Sequence, residues 1–201
     1  FRSSFETSTA TNAITGVIQT KVAGNTPPDI AAFPQPGILN GYAAKNKIVS
    51  LQDLGVDVEK VRGQMLPGIL EAATVEGKVY GAPIGMNVKS LYWYDKAQFK
   101  AKGYQIPKSQ DELKALFAKI KADGTAPLCI GLESGAATGW PGTDWIEDLV
   151  LRQSGTGVYD DWVAGKVKFT DQPIADAFTA AGKILLNPSY VNAGFGDVKS
   201  I

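Results

Sequence analysis

Apolar positions along the chain recur mostly at helical spacing. From Asp111 to Ala122, Leu113, Leu116, Phe117 and Ile120 share one stripe, while Lys114, Lys119 and Lys121 lie outside it, which predicts an amphipathic helix. Trp145 to Gln153 carries Ile146, Leu149 and Val150 in the same way. Asp171-Gln172-Pro173 opens a further helix with Ile174, Phe178, Ala181 and Leu185, which Asn187-Pro188 stops. Asp95 caps a helix containing Phe99 that Gly103 ends. Toward the start, Glu6 to Ala23 is helix-compatible, with Ile14, Val17, Ile18 and Val22 on one face, and Ile38 to Ala44 reads as a short helix. Leu51 to Leu54 is a turn onto a loop, and Val58 to Ala73 holds a helical stretch interrupted at Pro67-Gly68.

Between these lie short apolar runs bounded by turn residues. Asp29 to Phe33, Lys78 to Pro83, Val88 to Tyr94 and Leu128 to Leu132 read as strands, and Glu76-Gly77-Lys78 as a turn. Runs without polar alternation imply a sheet covered on both faces, so the pattern predicts an α/β protein in which at least one of Trp93 and Tyr94 is core. There is no internal repeat and no low-complexity tract.

Composition narrows the chemistry. The 201 residues are 44% hydrophobic and 20% charged, enough for a sizeable core. Lys plus Arg and Asp plus Glu are 20 each, so no net positive field exists to hold a phosphate backbone, and nucleic acid is not an expected partner. Without a single histidine, histidine triads, proton shuttles and metal sites are excluded. Cys129, the one cysteine, sits in the run Pro127-Leu128-Cys129-Ile130 and reads as a buried strand thiol; no internal disulfide is possible. Gly135 and Gly155-Thr156-Gly157 match no phosphate-loop pattern, which disfavours a nucleotide enzyme. No run approaches the roughly 20 apolar residues that span a bilayer.

The stretch GKVYGAPIGMNVKSLYWYDKAQFKAKG, Gly77 to Gly103, resembles a segment of the maltose-binding-protein-like (family 1) solute-binding proteins of ABC importers, written G-K-x-Y-G-x-P followed by a strand and an N/D-K-x-x-F/L helix start. Gly24-Asn25-Thr26-Pro27-Pro28-Asp29-Ile30-Ala31 resembles the family's G-x-x-P-D-[IV] loop, and Ser109-Gln110-Asp111-Glu112-Leu113 its T-W-D-E-L helix start, with serine and glutamine replacing threonine and tryptophan. Trp140-Pro141-Gly142-Thr143-Asp144-Trp145 resembles the sugar-contacting segment of the α-glucoside and oligosaccharide branch. The resemblance implies a periplasmic-binding-protein type II fold, with residues 1–87 as a partial first lobe and 88–201 as the second, joined by hinge strands near Gly85 to Ser90. It also implies a chain that is a fragment, lacking the family's opening strands and its return to the first lobe. The function implied is extracytoplasmic, in the periplasm or lipid-anchored: a monomer that captures a carbohydrate ligand and delivers it to the membrane permease of an ABC importer, without cofactor, metal or catalysis.

A sugar presents an apolar ring face and a rim of hydroxyls, so its binder needs aromatic plates beside carboxylates and amides. Trp140 and Trp145 flank Asp144 at a loop-to-helix junction that offers both. The tryptophans are plates or core anchors, and Asp144 is a ligand acceptor, a helix cap, or both. Gln35 follows a strand end, where open α/β sheets place ligand contacts, or is an exposed turn residue. Asn87 stands at the crossing, facing a hydroxyl or satisfying a bulge, and Glu133 and Ser134 follow the Leu128 to Leu132 run. Two alternatives stay open: a binder of a non-sugar small molecule, and a glycoside-active enzyme using the Asp144 and Asp148 carboxylates.

Overall fold

The computed structural model describes residues 13–192, and the chain divides into two compact units, Phe1–Asn87 and Val88–Ile201. In the first, helix α1 (Ala13–Ala23) buries Ile18; the part of the predicted helix before residue 13 lies outside the described residues. Helix α2 (Pro36–Ala43) has proline in its first turn, where the missing N–H costs nothing. Helix α3 (Val58–Arg62) is capped by the Asp57 carboxylate, which accepts from the Lys60 N–H at 3.0 Å. Strands β1 (Thr74–Val75) and β2 (Lys78–Val79) form an antiparallel hairpin around Glu76-Gly77, where the turn was expected. Both turn residues have positive φ, the conformation whose twist matches two flanking strands. Val79 then packs with Val58 and Leu70 in a small core, and its N–H donates to Gln52 Oε1 at 3.1 Å.

The second unit is built on helices. Asp95 caps α4 (Lys96–Lys102) by accepting from the Ala97 and Gln98 N–H groups, and Gly103 ends it, as the sequence predicts. Ser109 caps α5 (Gln110–Ala122), whose Phe117 and Ile120 are buried. Helix α6 (Trp140–Val163) packs on α7 (Gln172–Leu185) to make the largest core. Ile146, Leu149 and Val150 recur at i, i+3 and i+4 on α6 and meet Ile174, Ala177, Ala181 and Leu185 of α7, the alanines letting the helices approach closely. Gly155 interrupts α6 at φ 81°, ψ 174°, a region open to glycine alone, so the helix bends there. A second cluster, Phe117, Leu128 and Ile184, ties α5 to α7.

The expected α/β architecture with two lobes joined by hinge strands is not what the chain adopts. Among the described residues the only sheet is the two-stranded β1-β2 hairpin, accompanied by one isolated parallel bridge between Leu128 and Val191. Asp29 to Phe33, Val88 to Tyr94 and, beyond that bridge, residues 129–132 run without strand pairing. The reason is that strand propensity describes fit to a neighbouring strand and a covering layer, not a preference of the isolated backbone. Neither is supplied here: Ile30 is 90% exposed and Val88 80%. Trp93 and Tyr94 are both exposed, contrary to the expected core role, although the Tyr94 ring lies 4.4 Å from that of Phe99. Cys129 is exposed rather than buried, since the single bridge at Leu128 leaves the next side chain uncovered.

Ile174, fully buried between α6 and α7, should lose about 2–5 kcal/mol of unfolding free energy on replacement by alanine, whereas Ile30→Ala should stay within about 0.5 kcal/mol. Urea unfolding of both variants checks this, and a large loss at Ile30 would restore a covered strand there. Gly155→Ala should destabilise by about 1–3 kcal/mol, because the bend requires a conformation alanine does not tolerate; a neutral effect in the same assay would remove the bend.

Candidate functional site

The start of α6 gathers the groups with the most chemical potential. Gly139 precedes the helix, its N–H donating to the Leu132 carbonyl at 2.7 Å, and Pro141 occupies the first turn. The helix therefore begins at Trp140, earlier than the predicted Trp145, and Asp144 falls in its second turn. That removes the capping role for Asp144; Pro141, a residue favoured in the first turn of a helix, was the sequence signal for the earlier start.

Residues 140, 144 and 148 share one face of α6 at successive i+4 steps, while Ile146, Leu149 and Val150 occupy the core face. The segment from Lys89 to Tyr92 lies along the former. The Lys89 ammonium sits 4.0 Å from the centroid of the Trp140 ring and 3.2 Å from Asp144 Oδ2. Tyr92 meets the Trp145 ring edge-on with centroids 5.7 Å apart. Burial pushes the Tyr92 phenol up to about 12, with the charge of Asp148 adding to the effect. Asp148 in turn accepts from the Arg152 guanidinium at 2.6 Å, which raises the arginine above its ordinary value.

The two tryptophans separate cleanly. Trp140 is 43% exposed, with the Lys89 ammonium over one face of its ring, whereas Trp145 packs against both the α6-α7 core and the Phe117 cluster. Glu133 and Ser134 are exposed in the loop before α6, and the Ser134 N–H donates to Thr138 Oγ1 at 3.0 Å. In the other unit Gln35 is exposed at the start of α2 and makes no side-chain cap bond, and Asn87 is exposed at the unit's end. Trp140 and Asp144 are thus the expected site residues that the structure brings together within one unit, and Lys89 is the residue that sequence reasoning missed. Nothing in the periodicity signals Lys89, because its partners lie far along the chain, on α6.

The glycosidase alternative finds no support in this geometry. Asp144 and Asp148 are each held by a cation, whereas glycoside hydrolysis needs one carboxyl kept neutral as an acid. A cavity of about 620 Å³ also opens between α6, α7 and the segment carrying Phe169, lined by Ile146, Tyr159, Trp162, Phe178 and Leu185. None of the candidate residues lines it. Its carboxylate, Glu147, already accepts from the Tyr159 hydroxyl at 2.8 Å, and burial and that bond push the phenol up to about 12. With so few polar groups to offer, the cavity is poorly suited to a ligand bearing many hydroxyls. Among the described residues no cluster of acidic or sulfur ligands could hold a metal, and no helix is long and apolar enough to cross a membrane.

The osmoprotective compounds-binding protein GgtB of Synechocystis sp. is 38% identical over 167 residues, covering 83% of this chain. The alpha-glucosides-binding periplasmic protein AglE of Rhizobium meliloti is 40% identical over 185 residues, covering 87% of it. The chain spans 39% of the length of each of these relatives. A solved chitin oligosaccharide binding protein superposes with a TM-score of 0.76 at 24% identity over 96% of this chain and 47% of its own, a likeness of fold. The family model for bacterial extracellular solute-binding proteins matches residues 4–200, and the chain belongs to that family.

Proposed function

We propose that the protein captures a sugar, an α-glucoside or another oligosaccharide, outside the cytoplasm and delivers it to the membrane permease of an ABC importer, without catalysing a reaction. The observation that carries this reading is the partly exposed Trp140 side chain with the Asp144 carboxylate one helical turn away. A pyranose stacks its apolar face on such a ring while its hydroxyls donate to the carboxylate, and the pairing of area with direction is what sugar recognition requires. Family membership and the similarity to an alpha-glucosides-binding protein support the same ligand class. Glu133 and Ser134, in the loop that leads into α6, are further hydroxyl partners in this reading. Gln35 and Asn87, exposed on the first unit, carry amides of the kind that bond sugar hydroxyls. Delivery then follows because ligand favours whichever conformation it contacts more strongly, and a permease that docks on that conformation reads ligand occupancy.

A second reading, a small osmoprotective compound, has the Synechocystis relative's name in its favour. The accessible tryptophan argues for a ligand with an extended apolar face over a small, uniformly polar one.

Calorimetric titration of the full-length protein with a panel of sugars and small osmolytes separates the two readings, and two variants test the site. Trp140→Ala should weaken sugar binding by about 0.5–1.5 kcal/mol, roughly two- to twelvefold, with little change in melting temperature. Trp145→Ala should instead cost about 3–5 kcal/mol of stability, because its ring bridges two core clusters. Unchanged affinity in Trp140→Ala would remove the ring from the site.

A further inference from the structure

Lys89 makes two contacts with the groups that a sugar would need. Its ammonium lies over the Trp140 ring at 4.0 Å from the centroid, and the same nitrogen is 3.2 Å from Asp144 Oδ2. One cation therefore occupies the carboxylate acceptor and the ring face next to it together. A ring face admits a single partner at van der Waals distance, so the ammonium and a pyranose cannot both lie there.

We infer that Lys89 is an internal competitor for the sugar subsite: its ammonium covers Trp140 and holds Asp144 in the ligand-free protein, and a neutral sugar stacks only once that ammonium swings away. The inference rests on the sugar reading above and adds the residue that sets its threshold. Both contacts are solvent-facing, the Lys89 and Asp144 side chains being 49% and 29% exposed, so the cover is weak enough to be displaced. Displacement still has a thermodynamic cost. When a binding-competent arrangement is populated only in part, apparent affinity falls by that fraction.

The consequence is selectivity. A ligand must replace a cation on the quadrupole of the indole and a salt bridge on the carboxylate with one combined contact. A pyranose does this with an apolar face and adjacent hydroxyls, whereas a small polar solute satisfies the carboxylate alone and leaves the ring contact unreplaced. The lysine stem is flexible, so the released ammonium returns to water without disturbing α6.

The test uses the full-length protein and calorimetric titration with neutral α-glucosides, including maltose, sucrose and trehalose, at low and high salt. Lys89→Ala should bind its sugar about five- to thirtyfold more tightly than the unaltered protein at low salt, about 1–2 kcal/mol at 1.4 kcal/mol per tenfold. Lys89→Arg, which keeps the cation, should bind no more tightly than the unaltered protein. Raising salt should strengthen binding to the unaltered protein by screening the Lys89–Asp144 pair and should leave Lys89→Ala unchanged. Sugar binding that is unchanged or weakened in Lys89→Ala would overturn the competitor while leaving the sugar reading intact. Tightening in Lys89→Arg as large as in Lys89→Ala would also overturn it. No binding of any α-glucoside by the unaltered protein or by Lys89→Ala would overturn the sugar reading and this inference together.

Discussion

The packing of α6 on α7 is the constraint on which the rest of the second unit depends. Val150 and Ile174 are wholly removed from water at that contact, and Ala177 and Ala181 keep the helix separation small. Once the Ile146, Leu149 and Val150 face is committed to α7, the 3.6-residue repeat leaves no freedom about where residues 140, 144 and 148 point. A hydrophobic contact further along the helix thereby orients the ring and carboxylate of the candidate site. Trp145 links the two demands, since it packs into the core from a position between Trp140 and Ile146.

Electrostatics acts on that frame at short range. The charges along this face of α6 are arranged in pairs, Lys89 with Asp144 and Arg152 with Asp148, and the balanced composition gives the chain no large field of one sign. Recognition of a neutral ligand suits such a surface, because stacking and hydrogen bonding are not in competition with long-range attraction of ions. The same pairing weakens any case for hydrolysis, where carboxylates must differ in protonation. Function in this account is a matter of which partner holds Trp140.

The helices were legible because their signals are local. Asp95 and Gly103 delimit α4, the apolar stripe of α5 predicts its buried Phe117, and Pro173 and Asn187-Pro188 bracket α7. The strands were not, because a strand is defined by a neighbour that no run of sequence carries; Asp29 to Phe33 and Val88 to Tyr94 have strand-like composition and no pairing among the described residues. At the site, aromatic and acidic residue types pointed to Trp140 and Asp144, but periodicity alone could not tell the accessible tryptophan from the packed one. The earlier start of α6 accounts for their difference in burial: Trp140 stands at the first helical position and Trp145 lies more than a turn inside. Lys89 was invisible for the same reason as the strands, since its meaning comes wholly from distant partners.

The claim that Trp140 receives the ligand can be read directly by fluorine NMR of the full-length protein carrying 5-fluorotryptophan, with each resonance assigned by tryptophan-to-phenylalanine replacement. On titration with the α-glucoside that binds, the account predicts that the Trp140 resonance moves along the binding curve and saturates with it, while Trp162, packed against the α6-α7 core, stays in place. Saturable sugar binding with the Trp140 resonance unmoved would contradict it.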